Sequence, residues 1–239
     1  MDQDDRSRIL DTARGRGGEL ILLERQTTDG VQHEIRIDGR FAMSTSDEHT
    51  SRLLAKASLG RLDQKEGIRV LVGGLGLGLT LREALDDSRV GSVTVAEIEE
   101  TIIRWNRTLL SDCSGGAIFD PRVRVFHGDV RDLFGVSEGG FDAILMDVDN
   151  GPSFLLHEAN ISLYSEEGIC AMQKSLVPGG VLAVWAGQPE PELERTLIKY
   201  FEDVRVELVA DRGTADNIPP TAIYTAVGEK RAKGNKPTL

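Results

Sequence analysis

The sequence predicts an α/β fold: a doubly wound, mostly parallel seven-stranded sheet with a small N-terminal antiparallel β-sheet ahead of it. Three observations carry this. Apolar runs of strand length alternate with helix-period stretches from Arg69 to Tyr200, and the short crossovers between them require a parallel sheet covered on both faces. The last two apolar runs, about 204–210 and 221–227, flank the turn-rich DRGTADNIPP, which suits an antiparallel hairpin at a sheet edge. Before the alternation begins, residues 18–44 hold a strand at Glu19–Glu24, an alternating run at Gln32–Ile37, an Asp38-Gly39 turn and a return at Arg40–Met43.

The elements follow in order. Residues 1–17 are polar and rich in Arg and Gly, and read as a flexible or helical arm. Residues 18–62 form the small sheet plus a linking helix. Thr45 and Glu48 make a capping box, and Leu53, Leu54, Ala57 and Leu59 form the helix's buried side. Residues 63–228 form the main domain. Its strands fall at 69–73, 92–96, 123–127, 142–146 and 181–185, and its helices at 78–86, Glu99–Leu110, Glu166–Leu176 and 190–202. Pro178-Gly179-Gly180 stops the helix before it. Residues 229–239 are a basic, mobile tail.

A chain of 239 residues buries a real core. No apolar run approaches the roughly 18 residues of a membrane span, and MDQDDRSRIL lacks the apolar stretch of a secretory signal. A cytoplasmic protein is expected, with Cys113 and Cys170 as reduced thiols, no metal and no membrane partner. The net charge of −11 argues against nucleic acid as partner and is compatible with a cationic substrate.

Chemistry concentrates where strands end. The run RVLVGGLGLGLTLRE joins a strand to a helix through Gly73, Gly74, Gly76 and Gly78, and the next strand ends in Glu97. Strand, glycine turn, helix and acid make a nucleoside half-site, because glycines admit close backbone approach and a carboxylate accepts from both ribose hydroxyls. Asp129 and Asp147 end two further strands, so the three acids line one crevice. Asp129 with the Val130 amide suits an adenine edge. Asp147 suits an ammonium, or the proton of an amine nucleophile. Asp149 and Asn150 follow in DVDNGP, either bracketing an amine or forming an Asx turn. His33, His49, His127 and His157 read as surface or core filling, and Trp105 and Trp185 as core or crevice wall.

Two passages resemble the S-adenosylmethionine-dependent methyltransferase fold: the helix–Pro-Gly-Gly–strand at Leu176–Trp185 and the terminal hairpin. More closely, the chain resembles the spermidine synthase (polyamine aminopropyltransferase) family from about Glu19 to Val227. Matching residues include Asp47-Glu48, the ribose motif at Glu97-Ile98-Glu99, the adenine motif at Asp129-Val130, FDAILMDVDNGP, LYSEEG and LVPGGVLAVW. The resemblance implies a catalytic Asp147. It implies a donor site at Gly74, Gly76, Leu77, Gly78, Glu97, Ile98, Asp129 and Val130, and a substrate site at Asp149 and Asn150. The co-substrate is then S-adenosylmethionine or its decarboxylated form, the acceptor a small amine, and the assembly a homodimer in which residues 19–24 offer an edge for pairing.

The sequence also departs from that family's pattern. Its loop aspartate, which contacts the donor's amine tail, is Leu77 here. Its second-strand Gln falls on Ala42, and its Tyr and His/Gln-Glu fall on Ser51, Arg52 and Leu53. Arg52 repels a diamine if it points inward. The expected function is transfer of an aminopropyl or other alkyl group from an S-adenosyl donor. Methyl transfer and a non-catalytic nucleoside-binding role are the alternatives, and a nicotinamide-dependent dehydrogenase is weaker.

Overall fold

The structure is a computed structural model that describes residues 7–28, 30–63, 66–135, 140–210 and 219–228. A four-stranded antiparallel sheet comes first: β1 (Ser7–Gly15), β2 (Gly18–Thr27), β3 (Gly30–Ile37) and β4 (Arg40–Ser44), in that spatial order. A 3-10 turn at Thr45–Asp47 leads into α1 (Glu48–Leu59). The main sheet then alternates with helices: β5 (Ile68–Gly73), α2 (Leu79–Asp86), β6 (Val90–Glu97), α3 (Glu100–Arg107), β7 (Val123–His127), β8 (Phe141–Met146), α4 (Glu166–Ser175), β9 (Leu176–Ala186), α5 (Pro191–Tyr200), β10 (Asp203–Val209) and β11 (Thr221–Val227).

The main sheet has seven strands in the order β10-β11-β9-β8-β5-β6-β7. Strands β9, β8, β5, β6 and β7 pair in parallel, while β11 pairs antiparallel with both β9 and β10. The chain runs outward from β5 through β6 and β7, then crosses back to lay β8 on the other side of β5. That reversal opens a crevice at the carboxyl ends of β5, β6 and β8.

Both faces of the sheet are covered, so its strands are apolar on both sides. Val70 and Val72 of β5 face one buried cluster, which includes Leu54 of α1, Leu81 of α2, Ile103 of α3 and Leu20, Leu22 and Ile35 of the small sheet. Leu71 faces the other, with Ile169 of α4, Leu197 of α5 and Tyr224 of β11. The small sheet therefore shares its core with three helices of the main layer.

Several expectations change. Residues 7–15, expected as arm or helix, form β1, because their hairpin partner β2 supplies a full ladder from Ser7↔Arg25 to Gly15↔Gly18. Residues 19–24 are thereby interior, and β1 and β4 are the edges. The Thr45 hydroxyl accepts the His33 N–H at 3.0 Å, tying the helix entrance to β3. Pro178-Gly179-Gly180 lies inside β9, as a register shift opposite Phe141–Ala143, where Gly179 takes φ 78°. On α1, Leu54 and Leu59 are buried, while Leu53 and Ala57 are partly so. The expected tail 229–239, the first residues of the arm and most of DRGTADNIPP lie outside the described residues.

Candidate functional site

One crevice runs across the carboxyl ends of the central strands, roofed by β3, β4 and the start of α1. Its floor is the turn after β5. Gly74 has φ 88°, and a Cβ there would lie 2.1 Å from the Asp147 carbonyl oxygen. The Gly74 N–H donates to Ala96 and the Asp147 N–H to Gly73, at 2.9 and 2.8 Å. Gly76 has φ 49° and packs under the Met43 thioether of β4. Only glycine reconciles such angles with such close approach.

On the β6–β7 side the acids are held. Glu97 is buried, its two oxygens accepting the N–H groups of Leu75 and Glu99 at 2.9 Å each. Burial pushes its carboxyl up, and the backbone N–H groups of Glu99, Leu75 and Gly76 oppose this. Glu99 is also buried, and its Oε1 accepts the Arg16 and Gly17 N–H groups at 2.8 and 3.2 Å. The β1–β2 turn is thus fastened over this end of the crevice. His157 packs beneath Gly17, its Nε2 3.7 Å from Glu99 Oε1. Asp129 takes the Arg131 Nε and Nη2 at 2.9 and 2.5 Å, and those bonds hold its carboxyl below the usual range.

The β8–β9 side differs. The β8–β9 ladder ends at Met146↔Val184, so Asp147 and Trp185 follow on neighbouring strands. Burial pushes the Asp147 carboxyl up. The Thr80 hydroxyl, donating to Oδ2 at 2.6 Å from the first turn of α2, pulls it back. Asp149 is buried, accepting the Leu156 N–H on Oδ1 at 2.8 Å, with the Tyr164 hydroxyl 3.5 Å from Oδ2. Burial raises this carboxyl as well, and raises the Tyr164 phenol well above its ordinary value. The Asn150 amide donates to the Phe41 carbonyl of β4 at 3.3 Å. Ala42, Met43, Val148, Leu156 and Trp185 complete this wall, with Ser51 beside them.

Residues 51–218 match the family described as Spermine/spermidine synthase domain. The chain belongs to the spermine/spermidine synthase family. It is 31% identical over 177 residues to a polyamine aminopropyltransferase of Mycobacterium tuberculosis, covering 72% of this chain and 31% of that one. It is 29% identical over 192 residues to one of Synechococcus, covering 77% and 58%. The chain thus spans from under a third to about three fifths of the length of these curated relatives. In fold it is similar to the spermidine synthase of Thermotoga maritima (TM-score 0.75, 21% identity, 92% and 72% covered). It is also similar to a spermidine synthase solved in complex with the transition state analogue AdoDATO (TM-score 0.77, 21%, 92% and 73%).

Of the residues that the family resemblance singled out, Gly74, Gly76, Glu97, Ile98, Asp129, Val130, Asp147, Asp149 and Asn150 all line the crevice. Leu77 and Gly78 stand apart from them. Leu77 is fully buried in the core cluster with α1–α3. Gly78 is the N-cap of α2, and a Cβ on it would meet Asn106 and Ser114. Arg52 points outward, paired with Glu48 and Glu83 across α1 and α2. Trp185 is crevice wall and Trp105 is core, its indole N–H donating to Asp11. His157, read as filling, lines the crevice. Sequence reasoning missed Thr80, Glu99 as hairpin anchor and Arg131. Only Arg131, two residues after Asp129, carries a local signal.

Proposed function

We propose that this chain transfers an aminopropyl group from decarboxylated S-adenosylmethionine to a small amine. The charge of the crevice carries the reading. Glu97, Glu99, Asp129, Asp147 and Asp149 line it, and no lysine or arginine does among the described residues. A donor whose tail ends in an ammonium is attracted there. The α-carboxylate of S-adenosylmethionine is repelled, by about 4 kcal/mol for a like pair 4 Å apart at an effective dielectric of about 20. Family membership and the names of the relatives support the same choice.

The nucleoside lies over β6 and β7 in this reading. Glu97 has lone pairs left for ribose hydroxyls beyond its backbone bonds, and Asp129 with the Val130 amide meets the adenine edge. Arg131 keeps Asp129 ionised, as an acceptor must be. Over β8, the amine nitrogen attacks the propyl carbon next to the sulfonium. The new C–N bond forms as the C–S bond breaks, and the pair stays on sulfur to leave methylthioadenosine. Asp147 takes the proton released from nitrogen, its raised affinity for protons bringing it nearer that task.

Incubation with each donor plus an amine panel, read by mass, tests the reading. Methylthioadenosine from the decarboxylated donor is expected. S-adenosylhomocysteine from S-adenosylmethionine would replace aminopropyl transfer by methyl transfer.

A further inference from the structure

Resting on that reading, we infer that the acceptor is a monoamine with an apolar body rather than a diamine, because the acceptor side pairs two acids with an apolar wall. The acids there are Asp147 and Asp149. The reaction brings two amine groups to them: the terminal ammonium of the donor and the nucleophile of the acceptor. Asp147 keeps Oδ1 for this work while Thr80 engages Oδ2 at 2.6 Å. Asp149 is more engaged: Oδ1 accepts the Leu156 N–H at 2.8 Å, the Tyr164 hydroxyl is 3.5 Å from Oδ2, and the Asn160 side chain and the His157 N–H also hydrogen-bond to it, so the pair of acids has no room for a third amine group. The three remaining lining acids serve the other side, where Glu97 holds the glycine loop, Glu99 the β1–β2 turn and Asp129 Arg131.

What faces the rest of an acceptor is mainly apolar, Trp185, Leu156, Val148, Met43 and Ala42, with the neutral polar groups of Ser51, Asn150 and Asn160. A methylene chain or a ring gains by leaving water for such a wall. A second ammonium seated there loses its hydration with no further carboxylate to replace it among the described residues of that wall, which is costly in a buried site. Glu190, a further buried acid, is turned to Ser153, whose hydroxyl and N–H it accepts at 2.8 and 3.3 Å.

Putrescine and n-pentylamine have the same number of heavy atoms and differ in one terminal group. Each is titrated by calorimetry into the intact protein saturated with methylthioadenosine. The inference expects n-pentylamine to bind at least about tenfold more tightly. Equal or tighter binding of putrescine, or no binding of either amine to the loaded protein, would overturn it while the nucleoside reading stands. Failure of methylthioadenosine itself to bind removes the nucleoside reading and this inference together.

Discussion

The two sides of the crevice treat their carboxylates differently. Over β6 and β7, each acid is fastened by several N–H donors: Glu97 by Leu75 and Glu99, Glu99 by Arg16 and Gly17, Asp129 by Arg131. Over β8, Asp147 has one side-chain donor, Thr80, and burial dominates its proton affinity, although Asp149 beyond it is held by Leu156, His157 and Asn160. Carboxylates held by several donors are fixed in place, suited to recognising hydroxyls and amines with their remaining lone pairs. A buried carboxylate with a free oxygen exchanges a proton at small cost, which is what a nucleophile's partner requires. In the proposed reading, the side that binds and the side that does chemistry are separated by one strand, β5.

Substitutions can break this contrast. The largest effect is expected for Asp147→Asn, which should lower turnover by about 10²–10⁴-fold, the usual worth of a positioned base, while methylthioadenosine binding by calorimetry stays unchanged. Loss of nucleoside binding in that variant would merge the two sides. The same variant carries a stability test. A carboxyl raised by burial binds more protons folded than unfolded, so its stabilising contribution is present at low pH and falls as pH rises from the unfolded value through the folded one. Asp147→Asn should therefore melt higher than the parent above that window and not below it.

Next in size is Thr80→Val, which keeps shape and removes the hydroxyl. Losing a hydrogen bond to a charged group costs about 1.5–3 kcal/mol, so turnover at neutral pH should fall about tenfold or more. Because that bond favours the ionised acid, the acid limb of the pH–rate profile should move to higher pH, and Thr80→Ser should restore it. An unmoved limb would mean that Thr80 only packs.

The smallest effect on chemistry is expected for Glu99→Gln. Weakening the anchor of the β1–β2 turn should speed hydrogen exchange at the Arg16 and Gly17 amides and weaken methylthioadenosine binding about threefold to tenfold, the range of one modest hydrogen bond. Turnover at saturating donor should hold. A fall in turnover with unchanged exchange would place Glu99 in the chemistry instead.

Much of this was legible in the chain. The glycine run, Glu97, Asp129 and Asp147 each sit where a strand pattern stops, and strand ends in a doubly wound sheet converge by topology alone. The β1 strand was not legible. Ser7–Gly15 is largely polar and only partly buried, so its strand state comes from the ladder with β2 and from no clear pattern of its own. Leu77 shows the limit in the other direction. It stands at a position that the family resemblance marked for contact with the donor, and the loop buries it in the core.

By itself the sequence determined the layer order, the crevice's position and its acidic character, since these follow from local periodicity and from where charges interrupt apolar runs. Only the tertiary structure decided which charges the crevice keeps. Arg52 is drawn away by Glu48 and Glu83, Asp149 is enclosed by the segment holding Leu156 and Tyr164, and Thr80 reaches Asp147 across 67 positions of sequence. Those pairings depend on how helices and loops pack over strand ends. Electrostatic partners over such distances leave no period in the chain.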